Sequence, residues 1–141
     1  MKPFKIVLLF AAMTVLCACP DDDGHRYITL VNKSGKSIAY QELIDWNGNP
    51  PFYCSNIGTI TLINIPADSS RILESIGSSK WEDYLRKGQT MSIFIVDTET
   101  YNEHWLAPCD TIRKYVPVLH RYQLKLEDLQ QMNWTVVYPP E

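Results

Sequence analysis

The chain has 141 residues, of which 13 are basic and 16 acidic, giving a formal charge of −3 at neutral pH. That length suits one domain with a single core. A mildly acidic balance without a basic stripe argues against nucleic acid as a partner, because phosphates demand clustered Lys and Arg.

Lys2 and Lys5 lie at the start of the apolar run "IVLLFAAMTVL" from Ile6 to Leu16. A charged head followed by a run of this length has the form of a secretory leader. It stops short of the roughly 20 apolar residues needed to span a bilayer. A cleaved leader is therefore expected.

The next residues are Leu16, Cys17, Ala18 and Cys19. This Leu-x-Ala-Cys resembles the bacterial lipobox, which implies cleavage before Cys19, a diacylglycerol thioether on its sulfur and acylation of the new amino terminus. Modification at Cys17 would put Leu16 where the lipobox has a small residue. The plain alternative is that both cysteines are apolar filler in an ordinary leader. Each buried acyl methylene contributes about 0.8 kcal/mol, and several chains on one cysteine give stable anchoring. Palmitate incorporation is the corresponding chemical signature.

Asp21, Asp22 and Asp23 follow Pro20. Like charges beside Pro and Gly24 read as a solvated, extended tether. A cysteine followed at once by an acidic cluster also resembles the surface-export signal of Bacteroidota-type lipoproteins. That resemblance implies the outer leaflet of the outer membrane and exposure at the cell surface, with the periplasmic face as the rival address. The expected organisation is a leader over 1–18, an acidic tether over 19–25 and one domain over 26–141. Loss of the leader leaves 11 basic and 16 acidic residues, a net charge of −5.

Within the domain, "YITLVN", the turn "KSG" and "KSIAYQELI" read as a β-hairpin. "DWNGNPPFYC" (Asp45 to Cys54) is turn-rich, "TITLINI" (Thr59 to Ile65) resumes a strand that Pro66 ends, and "RILESI" (Arg71 to Ile76) is a weaker strand. Ser79 and Glu82 have capping-box spacing, which predicts a short helix from about Lys80 to Lys87. "TMSIFIVD" (Thr90 to Asp97) is apolar on both faces and belongs at the centre. "TETYNEHWLAPCD" reads as loop and "IRKYVPVL" as strand-like, with Pro117 arguing for an edge. "RYQLKL" alternates, sending Tyr122, Leu124 and Leu126 inward; a helical turn "EDLQQMN" then leads to the strand "WTVVYP".

These elements predict a mainly β fold, an antiparallel β-sandwich of about seven short strands with one short helix. The stretch "HRYQLKLEDLQQMNWTVVYPP", with its RYxLxLEDLxxxNWxVxYP pattern and the earlier "FIVD", resembles small Bacteroidota lipoproteins of uncharacterised function. The resemblance supports the address and implies no activity.

If Cys17 leaves with the leader and Cys19 carries lipid, Cys54 and Cys109 remain. An even pair in an oxidising compartment suggests a disulfide. Two buried thiols, or a reactive Cys109 near His104 or His120, are the alternatives. His25, His104 and His120 are isolated from zinc-type spacings, Asp21 to Asp23 lack the ligand pattern of a calcium loop, and no nucleophile or phosphate-loop motif occurs. No metal or cofactor is expected, and no catalytic residue is assigned. The aromatics Trp46, Phe52, Tyr53, Tyr101 and Trp105 sit in two long loops, where they form either a binding patch for a glycan or protein or simple caps on the sandwich. A non-catalytic binding module is the leading expectation; a structural or assembly accessory of the envelope comes second, and a hydrolase is the weakest reading.

Overall fold

The computed structural model describes residues 24–45 and 62–140. Its strands are β1 (Tyr27–Asn32), β2 (Ile38–Asp45), β3 (Ile63–Ile65), β4 (Ser69–Glu74), β5 (Thr90–Asp97), β6 (Val118–Leu124) and β7 (Thr135–Tyr138). The helices, all short, are α1 (Trp81–Tyr84), α2 (Thr98–His104), α3 (Cys109–Tyr115) and α4 (Leu126–Gln131), with a 3-10 turn over Arg86–Gly88. The strands form one sheet in the order β4-β1-β7 and a second in the order β3-β2-β5-β6. Pairing is antiparallel throughout except between β1 and β7, which run parallel.

The main core lies between the two sheets. From the first come Ile28, Leu30, Leu73 and Val136, from the second Ile38, Tyr40, Ile65, Met91, Ile93, Ile95, Tyr122 and Leu124. Trp81, Leu85, Leu129 and Trp134 close it from the helical segments. A second apolar cluster lies on the other face of the four-stranded sheet, where Ala39 and Val96 meet Tyr101, Ile112 and Val116. This second layer explains why β5 is apolar on both faces: Met91, Ile93 and Ile95 enter the sheet-to-sheet core, while Val96 packs under α2 and α3. Phe94, on that same outer face, lies beneath the Arg121 guanidinium, 4.9 Å from the ring centre.

The expected β1–β2 hairpin does not form, for the two strands belong to different sheets. Asn32 turns the corner. Its buried amide nitrogen donates to the carbonyls of Lys36 (2.8 Å), Ile65 (3.2 Å) and Pro66 (2.9 Å), and its oxygen accepts from the Ser34 N–H and hydroxyl. Those bonds satisfy the backbone of both crossings between sheets, and they replace the ladder a hairpin would have made.

Two further expectations are corrected. The stretch read as loop contains α2, capped by Asp97, whose carboxylate accepts from the Thr100 N–H at 2.8 Å and hydroxyl at 2.9 Å. The strand-like "IRKYV" belongs to α3 and its C-cap, because Cys109, Ile112 and Val116 form one buried helical stripe. Pro117 ends that helix by forcing Val116 out of the helical region, and edge strand β6 starts next. Among the described residues four short helices therefore stand where one was expected. The capping interaction of α1 falls one residue late, with Asp83 accepting from the Lys80 N–H at 3.2 Å.

His25, placed in the tether by the sequence, is fastened to the fold. Its ring stacks on Trp134 with centroids 4.1 Å apart, and its backbone N–H donates to the Glu82 carboxylate. Among the described residues no helix is long and apolar enough to cross a membrane.

Candidate functional site

β1 carries the chain from Tyr27, just after His25 at one end of the domain, to Asn32 at the other, about 17 Å at the usual rise per strand residue. The far, distal end is where Ile38 pairs with Asp97 and where α2 begins. A cleft of about 610 Å³ opens there, lined by Lys36, Ser37, Asp97, Thr98, Glu99, Asn102 and Glu103. Thr98, Glu99, Asn102 and Glu103 fall on one face of α2 at helical spacing. Asn64 of β3 steadies the rim by accepting from the Thr98 hydroxyl at 2.9 Å.

Electrostatics in the cleft are set by Asp97. Hydrogen bonds from the backbone and hydroxyl of Thr100, helped by the charge of Lys36, hold its carboxyl below the usual range despite some burial. It stays an anion at physiological pH. Lys36, Asn102 and the hydroxyl of Ser37 supply donors, while the carboxylates supply acceptors, a set suited to a hydroxyl-rich or peptide-like ligand.

At its other end α2 carries an apolar shoulder. Trp105 is 44% exposed and Leu106 74% exposed in the turn before α3. Beside them the His104 ring stacks on Tyr115 at 5.2 Å, with His104 Nδ1 bonded to the Thr100 carbonyl at 3.0 Å. α2 thus presents hydrogen-bonding groups along a face, with Trp105 and Leu106 exposed in the turn after it and Tyr115 of α3 stacked on its last residue.

Two of the aromatic residues expected to form a patch are among the described residues, and of these Trp105 lies on the surface. Tyr101 is the buried residue of α2 and packs with Ala39 and Val96 against the four-stranded sheet; burial pushes its hydroxyl pKa up. Trp46, Phe52, Tyr53 and Cys54 lie outside the described residues, as do Cys19, Asp21, Asp22 and Asp23. Cys109 is buried at the start of α3, and its side chain is engaged with a partner.

The histidines keep separate company. His25 Nδ1 meets Glu82 at 2.7 Å. Burial pushes the Glu82 carboxyl upward, but the hydrogen bonds from His25 outweigh it and the net position is below the usual range. His120 packs edge-on against Tyr122. Among the described residues no group of three His, Cys, Asp or Glu side chains could hold a metal ion. The cleft residues escaped sequence reasoning because they are scattered singles from a turn, a strand end and a helix whose existence the pattern concealed. Compared with protein-family models, curated proteins and solved structures, the chain matches none.

Proposed function

We propose that this chain is a lipid-anchored envelope lipoprotein whose domain binds a glycan or a protein partner without chemistry of its own. The observation that carries the binding reading is a polar cleft along α2 together with exposed Trp105 and Leu106 in the turn at the helix's other end and exposed Tyr115 on α3. Exposed large apolar side chains on the same elements as convergent polar groups are a recurrent property of recognition sites. Anchoring rests on the Leu16–Cys19 motif, and surface exposure on Asp21 to Asp23 after it. A Cys54–Cys109 disulfide belongs to the same proposal; the buried, engaged state of Cys109 supports it.

Glycan-array and envelope pull-down signals, compared between the native chain and Trp105→Ala, test the binding reading. Truncating an exposed anchor ring should weaken binding by about 2 kcal/mol, roughly thirtyfold. Equal signals from both proteins on every captured partner would overturn it. Palmitate labelling and protease shaving of intact cells test the address. Cys19→Ala should lose the label, and the native protein should be shaved; a labelled but protected protein belongs on the periplasmic face.

A further inference from the structure

We infer that the proximal end of the domain, around Ile76, Tyr27 and Met132, rests on the bilayer that holds the Cys19 lipid. This inference depends on the anchoring proposed above.

Reach is the first reason. Gly24 is the first described residue, five peptide units after Cys19, and fully extended chain covers at most about 3.6 Å per residue, or about 18 Å in all. The lipid on Cys19 therefore confines Gly24 to a thin shell above the headgroups. From Gly24 the fold allows no further slack. His25 is stacked on Trp134 and bonded to Glu82, its carbonyl accepts from the Trp81 N–H at 2.9 Å, and the Arg26 carbonyl accepts from the Ser75 N–H at 2.9 Å. The end of the domain that meets the membrane is fixed by these contacts.

Surface chemistry is the second. The residues fastened around that point include three large exposed apolar side chains: Ile76 at 77%, Tyr27 at 54% and Met132 at 41%. Ile76 sits in a tight turn whose Gly77 has φ +66°, and the turn is tied to the N-terminal segment by Arg26 Nη2 donating to the Gly77 carbonyl at 2.7 Å. Tyr84 braces its other side by donating to the Ile76 carbonyl at 3.1 Å. An isoleucine held outward by polar bonds on both flanks has no intramolecular use for its side chain. Tyr27 and Met132 add an aromatic ring and a flexible thioether, residue types that suit the headgroup boundary.

Tethering completes the argument. A short link raises the local concentration of the domain at its own membrane to the millimolar range, so a weak apolar contact suffices for substantial occupancy. The occupant is thus the phospholipid interface. In this pose the cleft of Lys36, Asp97 and Asn102 faces away from the bilayer, at the distal end.

The test is amide hydrogen exchange on the full-length, cell-processed protein reconstituted in phosphatidylethanolamine and phosphatidylglycerol vesicles, with the leaderless chain over 20–141 at equal concentration as the soluble reference. Flotation reports the anchor separately. We expect flotation of the native protein, and exchange at residues 24–28, 75–78 and 131–134 slowed about threefold or more while residues 33–37 and 97–103 are unchanged. The Ile76→Gln, Tyr27→Gln, Met132→Gln triple variant, altered only at exposed positions, should float equally and lose the slowing. Flotation with no slowing at the proximal end overturns docking and leaves the anchor intact. Absence of flotation overturns the anchor and docking with it. Slowing at the same residues in the leaderless chain as its concentration is raised without lipid assigns the patch to a second copy of the chain and overturns docking on lipid.

Discussion

Glu42 faces inward on β2, between Tyr40 and Ile44, and burial holds its carboxyl pKa above the usual range. A raised acid pKa means that ionisation is harder in the folded state, so this residue weakens the fold once pH exceeds the unfolded carboxylate value near 4. Glu42→Gln should therefore raise the melting temperature at neutral pH. In the same scan below about pH 4 the two proteins should coincide. Tyr122 follows the same sign in a more alkaline window. Its hydroxyl donates from β6 to the Val137 carbonyl of β7, joining the two sheets, and burial pushes its pKa up to about 12. Tyr40, buried on β2 and hydrogen-bonded to Arg71 of β4, is likewise pushed up to about 12 by burial. Since both phenols ionise near 10 when unfolded, stability is full below about pH 10 and falls as pH rises toward 12. Urea midpoints across that window check the sign. Tyr122→Phe should lower stability by about 1 kcal/mol at neutral pH and flatten part of the alkaline fall.

The helical hairpin α2–α3 is the element on which the proposed binding surface depends. Its first turn is fixed by Asp97, so Asp97→Ala should cost about 1 kcal/mol of stability. The same change should loosen the cleft, read as faster exchange at residues 98–104 than at β5. In the sequence this hairpin was hidden twice. Asn102, Pro108 and polar neighbours made α2 look like loop, and "IRKYVPVL" offered both an alternating and a helical pattern; the stripe Cys109, Ile112, Val116 decides for the helix only because Ala39 and Val96 leave an apolar face to cover. β5 was legible as central because both of its faces are apolar, and β6 because Tyr122 and Leu124 alternate with polar residues. The β1–β2 turn misled because Ser34 and Gly35 suit a hairpin, whereas the partner choice was made by one buried amide at Asn32 contacting residues over thirty positions away.

For the whole molecule, strand count and sheet class followed from local alternation, and the helical cover of the four-stranded sheet did not, because it depends on tertiary packing. The cleft was illegible for the same reason: its seven residues converge only once β2, β5 and α2 are in place. The proposed Cys54–Cys109 bridge would act at this scale. Peptide mapping without reductant should recover the linked pair, and Cys54→Ser should lower stability by about 4 kcal/mol, the loop-closure entropy of a crosslink that long.

Strand β1 lies in the middle of its sheet, held on one side by β4 and on the other by β7, whose Thr135–Tyr138 stands at the opposite extreme of the chain. That sheet acquires its third strand only when Val136 arrives to fill the core, so it cannot close until residues 135–138 are present. On the export route proposed above, closure of the domain would wait on those residues rather than on any step at the anchor. A chain halted before residue 135 should be protease-sensitive, with β1 open along one flank.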